Sequence, residues 1–202
     1  MMTEGGHGER SPAGNVAPAR VLLVTGMSRA GRSTALKTLE DMGYEAFDNL
    51  PLSLVPALIE SMATDARAIA VGADLRTRGF GIGGFAIESF AIEGMLEPLD
   101  AAVGRTSREL KALFIDCDDE PLQQRYTETR RPHPLAGDRP VADDIRLERR
   151  VVSALRDRAD LVIDTSNLSA ADLKGLLTGH FALAAGGLRI FVTSFAYRHG
   201  IP

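Results

Sequence analysis

Gly26 and Gly31 bracket four residues in "GMSRAGRST", and a cation, Arg32, and two hydroxyls, Ser33 and Thr34, follow at once. Small residues at this spacing let successive backbone N–H groups turn inward around an anion, and a helix beginning at the same spot adds its positive end. That is the chemistry of a polyphosphate cradle, formed by Gly26, Met27, Ser28, Arg29, Ala30, Gly31, Arg32 and Ser33, with the Ser33 hydroxyl placed to ligate Mg²⁺. Loops of this kind carry lysine where this chain has Arg32. A guanidinium keeps the charge but is planar, larger and two-pronged. Arg29 adds a long side chain at the loop crest. Two readings stay open: a loop that binds but hydrolyses slowly or not at all, and a loop that has lost its ligand. Binding is favoured over turnover, because backbone amides do most of the holding while the loop cation, the catalytic candidate Arg32, also serves the transition state. All but three of the 23 basic residues are arginine, the exceptions being Lys37, Lys111 and Lys174, so drift toward arginine accounts for position 32 equally well.

The carboxylate that supports Mg²⁺ in such a site lies at the carboxyl end of a buried strand beside the loop. "ALFIDCD" offers Asp116 and Asp118, "AVGADLR" offers Asp74 and "FDN" offers Asp48. Asp116 is the catalytic and metal candidate beside Ser33, and Asp74 with Arg76 is favoured as a second nucleotide contact. Each aspartate has the competing role of a helix cap. His133, between two prolines, reads as a loop-packing histidine rather than a general base, having no carboxylate partner in sequence.

These residues need strands and helices to hold them. "RVLLVTG" is a strand buried on both faces, and "RSTALKTLEDMG" carries Ala35, Leu36, Leu39 and Met42 at helical spacing. The alternation continues with strands in "YEAFDNLP", "ARAIAVGADLR", "LKALFIDCD", "ADLVIDTS" and "LRIFVTSF". Helices are expected over 52–62, 85–103, "EPLQQRYTETR" and 169–185. The fold class expected is α/β, a P-loop NTPase with a mostly parallel sheet and helices on both faces. Residues 1–19 read as a disordered tail and 20–186 as the nucleotide-binding domain. The arginine-dense stretch 125–158 reads either as a solvated helix laced with ion pairs or as a lid, the lid-like part lying at about 125–150.

A length of 202 residues allows one ordinary domain, and a formal charge of −4 argues against nucleic-acid binding by the whole surface. The single cysteine, Cys117, permits no internal disulfide and suits a reducing cytoplasm. No apolar run approaches a membrane span, so no membrane association is expected. Aspartates and a glutamate interleave with the arginines of 125–158 without an aromatic platform, which makes RNA binding by this stretch the weaker reading.

"GMSRAGRSTALKTLEDMGYEAFDNLP", "LFIDCDDEPLQQRYTETRRPHPL", "RADLVIDTSNLS" and "FVTSFAYRHGIP" together resemble the RapZ/YvcJ family of bacterial nucleotide-binding proteins, the RNase adapter family. "DMGY", "DNLP" and "TRRPHPL" are specific to it, and the match runs in order from about Arg20 to Pro202. The resemblance implies a kinase-like P-loop NTPase domain with ATP and GTP binding and nucleoside-triphosphatase activity, the ATP loop falling on Gly26 to Ser33 and a GTP segment on Asp74, Leu75, Arg76 and Thr77. The family usually has Gly at 29 and Lys at 32, and often Asn at 77, so this chain departs at each. The family also continues for about another domain, so 187–202 are expected to begin a largely absent C-terminal part that carries the RNA-binding, amino-sugar-sensing role of some members. The expected function is a regulatory nucleotide switch with a nucleoside triphosphate as ligand and a protein partner reading the bound state. A small-molecule or nucleoside kinase and a non-catalytic scaffold are the alternatives, and a homo-oligomer stays open.

Overall fold

The computed structural model describes residues 20–75, 77, 89–128 and 140–183, the side chains of 89–95 excepted. The tail, Arg76, His133, the crest of the lid-like stretch and the strand expected in "LRIFVTSF" lie outside the described residues.

Five strands, β1 (Arg20–Gly26), β2 (Glu45–Asp48), β3 (Ile69–Gly72), β4 (Glu109–Asp116) and β5 (Leu161–Asp164), form one sheet in the order β2-β3-β1-β4-β5. Every pairing is parallel, with Val24 beside Gly72 on one side and Leu113 on the other. The unbroken apolar runs of β1 and the second half of β4 follow from this, because a central parallel strand is covered on both faces. The edge strands β2 and β5 are correspondingly half exposed.

Among the described residues six α-helices accompany them: α1 (Arg32–Asp41), α2 (Val55–Ser61), α3 (Ser89–Gly104), α4 (Asp119–Glu128), α5 (Val141–Asp157) and, after β5, α6 (Ala170–Phe181). The connection through α1 runs outward from β1 to β2, whereas those through α2, α3 and the α4–α5 pair run the opposite way. Right-handed crossovers therefore put α1 on one face and α2 to α5 on the other. α6 joins α1, and the Tyr44 hydroxyl ties that face together by donating to the Phe181 carbonyl at 2.9 Å. The helix expected over 52–62 is a 3-10 turn at Leu52–Leu54 running into α2, because Pro56 sits in the first α-helical turn, where its missing N–H costs nothing. Arg108 stitches the end of that helix to β4, donating to the carbonyls of Met62, Asp65 and Arg67 at 2.6 to 2.9 Å.

The direction of the connections reverses at β1, between β3 and β4. That reversal opens a crevice beyond the carboxyl end of β1, and the segment filling it is the glycine loop. Among the described residues no helix is long and apolar enough to cross a membrane.

Candidate nucleotide site

Gly26 leaves β1 so close to β4 that a Cβ there would lie 2.1 Å from the Ile115 carbonyl oxygen, which no side chain tolerates. Met27 N–H donates to that same carbonyl at 3.0 Å, and Ala30 N–H closes a tight turn onto the Met27 carbonyl. The side chains of Met27 and Ala30 are buried, and their N–H groups are spent on these contacts that shape the loop.

The outer side of the loop is braced. Thr165, just past β5, donates its hydroxyl to the carbonyls of Ala30 at 2.7 Å and Asp116 at 3.0 Å. Arg125 of α4 donates to the carbonyls of Arg29 at 3.1 Å and Thr165 at 2.8 Å. In a trans peptide the N–H opposes the C=O, and no cis bond occurs among the described residues, so holding the Ala30 carbonyl aims Gly31 N–H the other way. α1 then begins at Gly31 with no side-chain cap and no acidic residue in its first turn. α6 contrasts with it, being closed by a reciprocal Ser169–Asp172 capping box. The first-turn amides of α1 thus present donors and a positive dipole end to a cavity of about 190 Å³ lined by Met27, Ser28, Arg29, Gly31, Arg32, Ser33, Thr34 and Asp74.

Arg29 does not plug that cavity. Its backbone is left-handed at φ 72°, and its guanidinium lies over the Tyr126 ring of α4, 5.2 Å from the centroid. The crest that the sequence places in the ligand's way is therefore turned aside, and a position usually held by glycine in the resembling family proves to be one that requires positive φ. Arg32 bends back rather than forward: its guanidinium donates to Asp48 at 2.5 Å and to Asp74 at 2.7 Å. Ser33 and Thr34 are exposed at the cavity wall.

The four strand-end aspartates fall into separate settings. Asp48 and Asp74 flank Arg32. Asp116, expected to join Ser33 at a metal, lines a different cavity of about 350 Å³ with Asp118, Arg149 and Arg156. Its Oδ1 accepts from Arg149 and from Cys117 N–H, and its Oδ2 accepts from Arg156, each within 2.9 Å. Burial would raise its pKa, but the hydrogen bonds from Arg156, Cys117 N–H and Arg149 outweigh that and hold it below the usual carboxylate range. Asp118 N–H is held by the Ser166 hydroxyl. In the 74–77 turn, Thr77 Oγ1 accepts from Asp74 N–H at 3.0 Å, and the Leu75 side chain is in the core, so Leu75 can meet a ligand only through its backbone.

Glu148 is the residue the sequence reading passed over. It lies on α5, fully buried, and its Oε1 accepts from both Ser28 N–H at 2.9 Å and the Ser28 hydroxyl at 2.6 Å. α5 is thus not a solvated helix throughout: Asp144 and Glu148 share its buried face with Ile145, Val151, Val152 and Leu155. The available signal was spacing, since 144, 145, 148, 151, 152 and 155 trace one helical stripe with acids inside it.

Magnesium would need carboxylate or hydroxyl oxygens in this cavity. The Ser33 hydroxyl is placed there, but Asp48 and Asp74 are engaged by Arg32 and Asp116 is engaged elsewhere. Among the described residues no group of three or more His, Cys, Asp or Glu is arranged to hold a metal. The carboxylate set does not fit the ion.

The family described as the RapZ-like N-terminal domain matches residues 19–185. The chain belongs to the RapZ-like family. It is 52% identical over 184 residues to a nucleotide-binding protein of Paramagnetospirillum magneticum, covering 91% of this chain and 57% of that one. A nucleotide-binding protein of Rhodospirillum centenum is 53% identical over 183 residues, covering 90% and 52%. This RapZ-like chain therefore spans little more than half the length of the relatives it matches. In fold it is similar to a sugar kinase from a Janibacter species, with a TM-score of 0.51, 15% identity and coverage of 84% and 100%. A shikimate kinase from Bacteroides thetaiotaomicron gives 0.50, 12%, 79% and 96%. The architecture is that of the P-loop kinases.

Proposed function

We propose that this RapZ-like chain binds a nucleoside triphosphate, ATP or GTP, in the cavity beneath the 26–33 loop and acts as a regulatory module rather than a fast hydrolase. One observation carries the reading: Gly31 and the first turn of α1 present backbone donors, with no side-chain cap, to a cavity while Thr165 holds the Ala30 carbonyl on the opposing side. Backbone donors at a helix N-terminus bind phosphate oxygens together with the positive end of the helix dipole. Slow turnover is supported by Arg32, whose charge is committed to Asp48 and Asp74 rather than extended over the cavity.

The regulatory part rests on how the loop is tied. Ser28 is bound to α5, and Arg29 is bound to α4 through its carbonyl and its guanidinium, so a phosphate that shifts the loop also shifts the helices flanking the arginine-rich segment. A partner, another protein or the remainder of a longer chain, reads that shift. An adapter role of the RapZ kind, with RNA contacts made by a further domain, is the whole-protein form of this proposal. A reducing cytoplasm suits the buried free thiol of Cys117.

Thermal unfolding with ATP, GTP and non-hydrolysable analogues tests the reading. A ligand that binds the folded form alone raises the midpoint, by a free energy of about 2.7 kcal/mol at a hundredfold excess over Kd. No shift with either nucleotide at millimolar concentration would refute it.

A further inference from the structure

We propose that the Arg32 guanidinium occupies the position between Asp48 and Asp74 that a divalent cation would need, so that no metal is held through these carboxylates while arginine stands there. The two aspartates come from the ends of adjacent strands, β2 and β3, and converge on one group. One or two carboxylates beside substrate phosphates are the usual protein contribution to a Mg²⁺ site. Here one planar cation spans both, with Nη1 on Asp48 and Nη2 on Asp74. The Arg32 side chain is 12% exposed and that of Asp74 10%, so the pair is well shielded from competing water.

The backbone is shaped for this arrangement. Gly72 ends β3 between Leu36 and the ion pair, and a Cβ on it would stand 2.7 Å from Arg32 Nη1 and 3.0 Å from Asp48 Oδ1. Thr77 fixes Asp74 from the far side, its hydroxyl accepting from Asp74 N–H and approaching Oδ1 at 3.5 Å. A lysine ammonium is a single compact charge and lacks the planar fork that places separate nitrogens on the two carboxylates. Position 32 thus sets more than the strength of the phosphate grip: it decides whether the neighbouring carboxylates are available to a metal.

Mn²⁺ binding to nucleotide-free protein, read by electron paramagnetic resonance, tests the substitution. Wild type is compared with Arg32→Gln and with Arg32→Gln combined with Asp48→Asn. The expected result is that Arg32→Gln binds one Mn²⁺ at least about tenfold more tightly than wild type and that adding Asp48→Asn abolishes the gain. Equal Mn²⁺ binding by wild type and Arg32→Gln, or no gain in an Arg32→Gln protein with a native circular dichroism spectrum, overturns the proposal. Should Arg32→Gln fail to fold, wild type against Asp48→Asn decides: Mn²⁺ bound by wild type and lost in Asp48→Asn overturns it, and identical weak binding by the two supports it. The further consequence, that triphosphate affinity draws little on a protein-held metal, rests on the nucleotide reading above. The Mn²⁺ measurement contains no nucleotide, so failure of that reading shows separately, as a missing thermal shift.

Discussion

The buried carboxylate of Glu148 accepts two hydrogen bonds from Ser28, one from its backbone and one from its hydroxyl, across 120 residues of sequence. A buried carboxylate is tolerated only when donors are aimed at it, and here the glycine loop supplies them. The contact fixes the shoulder of the loop to α5, next to the residue, Arg149, that binds Asp119 and the Cys117 carbonyl. Adjacent positions on one helix therefore lock the loop and the end of β4 together.

Glu148→Ala strands the Ser28 N–H and is expected to cost about 1–3 kcal/mol in urea unfolding for the lost partner, with a cavity term added. Glu148→Gln keeps an amide oxygen as acceptor and is expected to lose less. Equal losses in the two variants would show that the carboxylate charge, which glutamine lacks, is what matters and that a neutral acceptor does not replace it.

Asp116 carries a pH signature. Its pKa is lowered because hydrogen bonds from Arg156, Cys117 N–H and Arg149 overcome the opposing effect of burial. A depressed carboxylate contributes stability that is fully present above its unfolded value of about 3.9 and is lost as pH falls through the lower folded value. Asp116→Asn is expected to be less stable than wild type near neutrality, by about 1–3 kcal/mol. The gap should narrow as pH drops below about 4, since only wild type has a proton to take up there. Guanidinium unfolding curves at several pH values check this, and a gap independent of pH would refute it.

Arg29 combines a strained backbone with an attractive ring contact. Its φ of 72° is disfavoured for any residue with a Cβ, while its guanidinium gains about 0.5–1 kcal/mol or more from Tyr126. Arg29→Ala keeps the strain and loses the contact, so it should destabilise by about 1 kcal/mol. Arg29→Gly loses the contact but relieves the strain, and is expected to come out close to wild type. Thermal midpoints of the three proteins decide it, and Gly less stable than Ala would sink the account.

Much of the fold was legible because its signals are local. A short, β-branched apolar run such as "VLLVTG", closed by glycine, suits a strand covered on both faces, and the stripe of Ala35, Leu36 and Leu39 suits one buried side of a helix. The loop was legible for the same reason, since glycine spacing, strand and helix are contiguous. The setting of the strand-end aspartates was not. Asp48, Asp74 and Asp116 look alike in sequence, each closing an apolar run, and which cation reaches each depends on distant segments: α1 supplies Arg32 to the first two, and α5 supplies Arg149 and Arg156 to the third. Glu148 stayed hidden because a glutamate among arginines ordinarily marks a solvated face.

The sequence alone determined that a glycine loop, the proposed anion cradle, sits between the first strand and the first helix, because backbone geometry there is set by neighbouring residues. Only tertiary structure decided what surrounds the cradle. Strand order brings β3 and β4 to either side of β1 and so distributes the carboxylates, and the packing of α4 and α5 turns Arg29 aside and delivers Glu148 to Ser28. Charged side chains reach several ångströms from their backbone, and their partners are chosen by proximity in space, which spacing along the chain does not encode.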